Sequence, residues 1–462
     1  MVPAPKRGRF PTFAVAAMLL ILAGVLALVA AHSDAPLVEV TEAERAEADQ
    51  ASTYLEKPLS EPADQRPLNM PAPPHELTPF EQGGSYNAPL EYRRARQHVS
   101  PGLRVLNWLK DHQNIKGCWS PATFTLDSSR IQARRAGSLD CWLGTSDLGS
   151  ARSEVRCTAL GIYLHATLGF DFVEGDYREG CAAAMEWLED QQWADGSFGS
   201  IASLRDNAIA LMALAEMYGL SGKDSCKSMA EKALGYLLVQ RTAKSGWGEF
   251  PGDEPDILST GYAVIALKSA KLAGIDFKYA PVYSEVEDYL RLLAPDPSSP
   301  AVQFDASSSS SYAASPSPCE RARVAQACWI YSMLVMGKVD LNDIQLKLMA
   351  EELVREDNLP VWQEGKVDLE YWWLGTLALY QVGGKCWRTW EAAASKALLE
   401  NQRGVRTEDK GAAADELDEH GSWDSTDLWT QSTGRVGVTL YAGLVLDRCL
   451  TYQRMRKFHQ HK

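Results

Sequence analysis

A chain of 462 residues, 45% hydrophobic and 23% charged, has the composition of a globular protein. Its formal net charge of -14 excludes a polyanion such as nucleic acid as the natural partner. Fourteen tryptophans call for a large buried aromatic core, because big rings bury much area at little side-chain entropy.

At the N-terminus Lys6, Arg7 and Arg9 precede an uncharged apolar run from Phe10 to Ala31, long enough to cross a bilayer as one helix. Asp34, Glu39, Glu42, Glu44 and Glu47 follow it. By the positive-inside rule residues 1–32 form a signal anchor and everything after them lies outside the cytoplasm, periplasmic or extracellular. A cleaved signal peptide is the rival reading, since Ala30 and Ala31 are small enough for a peptidase. Residues 33–99 are acidic and then proline-spotted, with no apolar period to bury, and read as a disordered linker.

From residue 100 to 452 a helical pattern recurs. Six segments are apolar nearly all round, at 155–169, 207–219, 259–274, 324–337, 371–384 and 437–449, and such helices must be buried on every side. Six others, at 102–113, 177–192, 226–240, 282–293, 341–354 and 387–402, are amphipathic with charged outer positions. The two classes alternate, which predicts an all-α fold, an α6/α6 toroid with apolar helices inside and amphipathic ones outside. A linear solenoid of helix pairs is the alternative, but its helices would share one amphipathic character. Gly169, Gly219, Gly274 and Gly337 follow apolar segments as expected C-caps. The serine- and proline-rich stretch at about 295–318 is a low-complexity insertion, and residues 453–462 are a tail.

The amphipathic segments end in a recurrent pattern. Gln113, Gly117 and Trp119 recur as Gln192, Gly196 and Phe198; a looser copy runs from Tyr236 through Gln240 to Gly246 and Trp247. A fourth joins Gln402 to Gly421 and Trp423 across the 18 residues 403–420. A glutamine at a helix end can satisfy orphan backbone groups while the ring packs over the turn. These residues resemble the QW repeats of squalene and oxidosqualene cyclases and of protein prenyltransferase β subunits, over most of residues 101–449. The resemblance implies the toroid; it does not by itself imply the reaction.

The catalytic motifs of those enzymes are largely missing. The cyclases' DxDD acid has its nearest counterpart in Asp253-Glu254-Pro255-Asp256, which reads as turn and N-cap chemistry. The prenyltransferase zinc pair is matched in spacing by Asp224-Ser225-Cys226, but this opens an outer helix without a convincing histidine, so no metal and no cofactor are expected. The GCGEQ thioester motif of complement-like toroids does not occur. His165, on an apolar helix, reads as a core residue.

Polar residues lie near the N-terminal ends of the apolar helices: Arg152 and Glu154, Arg205 and Asp206, Asp256, Glu320 and Arg321, Asp368 and Glu370, and Arg435. If those helices run parallel, Asp206, Asp256, Glu320, Asp368 and Arg435 gather at one mouth, with Tyr262, Trp329, Trp372 and Trp373 as cavity aromatics. Capping alone explains many of the acids. Paired carboxylates there could also do acid-base work of the glycosidase type.

Of nine cysteines, Cys118 and Cys141 flank one long loop and are the best candidate disulfide, whereas Cys157, Cys328 and Cys449 lie in apolar helices as small buried hydrophobes. Three functions stay open: a membrane-anchored toroid of unknown ligand, isoprenoid or glycan; a divergent terpenoid cyclase or transferase; and a carbohydrate-active α/α-toroid enzyme.

Overall fold

A computed structural model describes residues 100–128, 147–303, 318–406, 409, 419–427 and 431–460. The expected membrane anchor and linker lie outside these residues; among the described residues no helix is long and apolar enough to cross a membrane. Among the described residues twelve long helices carry the fold. Six amphipathic ones are α1 (Ser100–Asp111), α3 (Arg178–Asp190), α5 (Asp224–Val239), α7 (Tyr279–Leu293), α9 (Ile344–Leu353) and α11 (Gly384–Leu399). Between them run the apolar helices α2 (Glu154–Thr167), α4 (Leu204–Ser221), α6 (Ile257–Leu272), α8 (Pro318–Val335), α10 (Leu369–Val382) and α12 (Gly434–Gln460). No strand is formed among the described residues beyond an isolated bridge between Gln192 and Phe198.

The apolar helices form the core. In α10 every residue from Leu369 to Leu379 is buried, and α2, α4 and α6 are buried almost throughout. Their contacts run in a cycle: α2 packs on α4, α4 on α6, α6 on α8, α8 on α10, α10 on α12, and α12 back on α2. Several begin ahead of the apolar pattern because polar N-caps precede it. The Ser203 hydroxyl accepts the Asp206 amide, Asp256 the Ser259 amide and Asp368 the Tyr371 amide. Three boundaries differ from expectation. Helix α8 starts at Pro318, at the edge of the expected insertion, and α12 runs on to Gln460 through most of the expected tail. Gly219 lies inside α4, whose left-handed cap is Gly222 with φ 66°.

The four repeated turns each tie one amphipathic helix to the next. The indole N–H of Trp119 donates to the Leu109 carbonyl (2.8 Å), that of Trp247 to Leu237 (2.7 Å) and that of Trp423 to Leu398 (2.9 Å). Each indole satisfies an orphan carbonyl in the last turn of its own helix. The glutamines reach forward instead. Gln113 donates to Gly180 O in α3 (2.8 Å), Gln192 to Met229 O in α5 (2.9 Å), and Gln402 to Pro101 O in α1 (3.3 Å), which joins the last amphipathic helix to the first. In the third copy the register differs from the sequence reading by one residue. Thr242 N bonds Gly246 O as Asn114 N bonds Cys118 O, so Arg241 takes the glutamine place and pairs with Glu285 of α7.

Candidate functional site

Alternation with returning helices makes α2, α4, α6, α8, α10 and α12 run the same way, so their N-termini meet at one end. At the ends of α2, α4 and α6 a charged cluster is buried. Asp206, in the first turn of α4, accepts from Arg156 Nε of α2 at 2.7 Å. The preceding residue, Arg205, is 2% exposed; its Nη2 lies 3.8 Å from Glu249 Oε2 and 3.4 Å from Ser259 Oγ. The Glu249 carbonyl accepts the Leu204 amide (2.8 Å), docking the turn after Trp247 onto α4. Asp256 caps α6 through one oxygen, 2.7 Å from Ser259 N. The other oxygen of Asp256 and Oε2 of Glu249 are buried without a hydrogen-bond partner. Burial raises both carboxyls above their ordinary range, with Arg205 opposing it in each case; the neighbouring Asp256 adds to the rise at Glu249.

A second group lies where α6, α10 and α12 meet. The Tyr262 hydroxyl donates to Glu370 Oε1 (2.9 Å) and shares a bond with the Tyr441 hydroxyl (2.9 Å). The Trp373 ring stands 5.5 Å from Tyr262 and 5.8 Å from Tyr441. Burial, reinforced by the Glu370 charge, holds the Tyr262 phenol well above its usual range, so it stays a neutral donor. Of the four expected cavity aromatics, only Tyr262 and Trp373 converge. Trp329 donates to Leu290 O in α7 and so faces the amphipathic layer, and Trp372 packs edge-on to Trp362 in the loop before α10. Adjacent helical residues point about 100° apart, so Trp372 and Trp373 could not share one wall.

The five expected mouth residues do not form one cluster. Asp206 and Asp256 both lie near Glu249, Asp206 paired with Arg156 and Asp256 facing Arg205. Asp368 caps α10, whose Leu369 amide donates to Asp427 (2.7 Å). The side chain of Glu320 lies outside the described residues. Arg435 belongs to a separate network: it pairs with Asp147 (2.7 Å) and Asp424 (2.9 Å) and donates to Ser422 Oγ and Trp423 O. Asp424 also pairs with Arg403 and Arg406, and Asp409 with the same two arginines. Arg435 is thus a clamp between the segments that lead into α2 and α12.

The remaining expectations are resolved locally. His165 is buried, stacked at 5.4 Å on Trp119, with Nδ1 2.7 Å from Gly161 O; burial pushes it down to about 4, as befits a neutral core histidine. Asp224 is exposed at the start of α5 while Cys226 is buried. Cys118 is buried with a free thiol, and Cys141 lies outside the described residues. Sequence reasoning missed Glu249, Arg156 and Tyr441. Position offers one signal: Arg156 is the third residue of α2 and Arg205 the second of α4, both in the first turn of neighbouring helices that face each other.

No protein-family model matches the chain, and no curated protein matches it. Among solved structures, one described as a novel alpha-amylase from Clostridium perfringens is similar over 75% of this chain and 97% of that chain, at 11% identity and a TM-score of 0.47.

Proposed function

We propose that the chain is an exported, membrane-anchored α6/α6 toroid of the terpenoid-cyclase and prenyltransferase repeat type, which holds a ligand at the N-terminal end of its inner helices without the standard acid or zinc chemistry of those enzymes. The convergence of Arg156, Arg205, Asp206, Glu249 and Asp256 at the ends of three neighbouring helices carries this reading. Capping needs one acid per helix end; three buried acids around buried Arg205 and partly exposed Arg156 exceed that need, and buried charges are retained at a desolvation penalty. The cyclase-like string does other work here, because Asp253 accepts the Phe250 amide and Asp256 caps α6. Native mass spectrometry of the full chain in detergent tests the proposal. A bound small molecule is expected in the wild type and its loss in Arg205→Met; a wild type that carries nothing under any extraction condition rejects it. For topology, a reporter fused after residue 95 should be active only outside the cytoplasm.

A second reading, a carbohydrate-active enzyme, is favoured by one observation. Glu249 and Asp256 are neighbouring carboxyls that burial keeps above the usual carboxylate range, the condition for a general acid in glycoside hydrolysis. Release of reducing ends from neutral oligosaccharides, abolished in Glu249→Gln, would favour it over ligand holding.

A further inference from the structure

Resting on the ligand-holding reading, we infer that Glu249, Asp256 and Arg205 together receive a hydroxyl group, and that the ligand is a neutral polyhydroxylated molecule of the sugar class. Two buried carboxyl oxygens there, Glu249 Oε2 and Asp256 Oδ2, have no hydrogen-bond partner. Buried polar atoms rarely stay unsatisfied, because each such atom forfeits its hydration without replacement. The Arg205 guanidinium stands 3.8 Å from Glu249, beyond hydrogen-bond length, although a closed Arg–carboxylate pair contracts to about 2.7–2.9 Å. The pair is held open by its anchors: Glu249 through its own carbonyl on Leu204 N, Asp256 through its cap on Ser259, and Arg205 through its helix.

The charge pattern selects the ligand class. An anion would meet the carboxyl oxygens, and Arg205 is already balanced by them. A metal cation would meet two guanidiniums, since Arg156 as well as Arg205 acts on Glu249. A neutral hydroxyl suits all three groups, because it accepts from the guanidinium and donates to a carboxylate, or accepts from a carboxyl that keeps its proton. The Tyr262 ring lies beneath Arg205, 6.0 Å from its central carbon, and is itself buried, so it backs the guanidinium and keeps water from that side.

Isothermal titration of the full chain in detergent tests this with neutral gluco-, manno- and N-acetylglucosamine oligosaccharides, and with inorganic phosphate and calcium as the charged probes. At least one oligosaccharide series should bind. Asp256→Asn keeps a capping side chain and should weaken that binding tenfold or more, and Glu249→Leu should abolish it. Because Glu249→Leu could perturb the fold, Glu249→Gln, which keeps the shape, serves beside it and should weaken binding at an unchanged melting temperature. The inference is overturned if no series binds, if the variants bind as the wild type does, or if phosphate or calcium binds in a manner that depends on Glu249. A co-purifying molecule that persists unchanged in all these variants would refute this inference alone and leave the broader reading standing.

Discussion

Replacing Gln402 by methionine tests whether the first and last helices are truly joined. Gln402 is completely buried; its amide N–H₂ donates to Gly421 O (3.0 Å) and Pro101 O (3.3 Å), and its carbonyl accepts from Arg104 Nε at 3.0 Å. Methionine keeps the length and apolar volume but leaves those three groups without their partner. Two neutral bonds at about 1 kcal/mol each and one to a charged group at about 1.5 kcal/mol give a loss of about 3–4 kcal/mol. A domain of about 350 residues unfolds with an entropy near 0.7 kcal/mol/K, so the melting temperature should fall by about 5 °C. The control is Gln192→Met, in the same turn of an earlier repeat, where the side chain is half-buried and makes one bond, to Met229 O. There the loss should be about 1 kcal/mol, or 1–2 °C. Calorimetry on both variants decides it. If Gln402→Met melts no lower than Gln192→Met, the contact between α11 and α1 adds nothing and the cycle of helices is not closed by this turn.

Acid titration of stability should show two separable components. Burial alone would raise Asp424, but Arg435 and Arg403 more than offset it and hold the carboxyl below its usual range. Its stabilisation is therefore complete above the unfolded value near 4 and lost as pH falls through the depressed folded value; Asp424→Asn should flatten the melting curve in that window. His165, pushed by burial to about 4, contributes a loss at higher pH. The unfolded chain takes up its proton near 6.5 and the native one only near 4, so stability falls between these values by up to about 3 kcal/mol, and His165→Phe should remove that slope. Gly117 has φ +97° and a Cβ there would stand 2.2 Å from Ala183 O, so Gly117→Ala should cost more than about 3 kcal/mol. Gly252 has φ +86° with nothing within 4 Å, so Gly252→Ala should cost only about 1 kcal/mol. Equal melting of the two glycine variants would contradict the close approach of the first turn to α3.

The helices were legible because burial writes itself into composition. A helix covered on all sides has no polar face, and α2, α4, α6, α8, α10 and α12 each carry that mark, as do the acids and serines that cap several of them. What the sequence could not convey were contacts between distant segments. Arg435 looks misplaced near a helix N-terminus until Asp147, 288 positions earlier in the chain, is brought against it. Glu249 sits in a turn with no period of its own, and only the docking of its carbonyl on Leu204 N makes it a buried acid. The third repeat misled for a simpler reason: Gln240 stands beside Arg241, and either could fill the glutamine place until the turn's hydrogen bonds chose. Adjacent tryptophans at 372 and 373 both looked cavity-facing because residue type says nothing about azimuth.

The fourth repeat turn has its base fastened independently of its length. Arg403 N bonds Ser422 O at 2.9 Å, Gly421 N bonds Arg403 O at 3.0 Å, and Gln402 holds Gly421 from within. In sequence 18 residues, 403–420, separate Gln402 from Gly421, against three between Gln113 and Gly117 in the first copy. Extending a loop whose ends are already pinned adds little closure entropy, about 0.6 kcal/mol per doubling of its length. That turn is therefore a tolerant grafting position: a peptide tag, an epitope or a second domain could be spliced into it while the helices on either side keep their register, and a lineage could lengthen or exchange the segment without rebuilding the core beneath it.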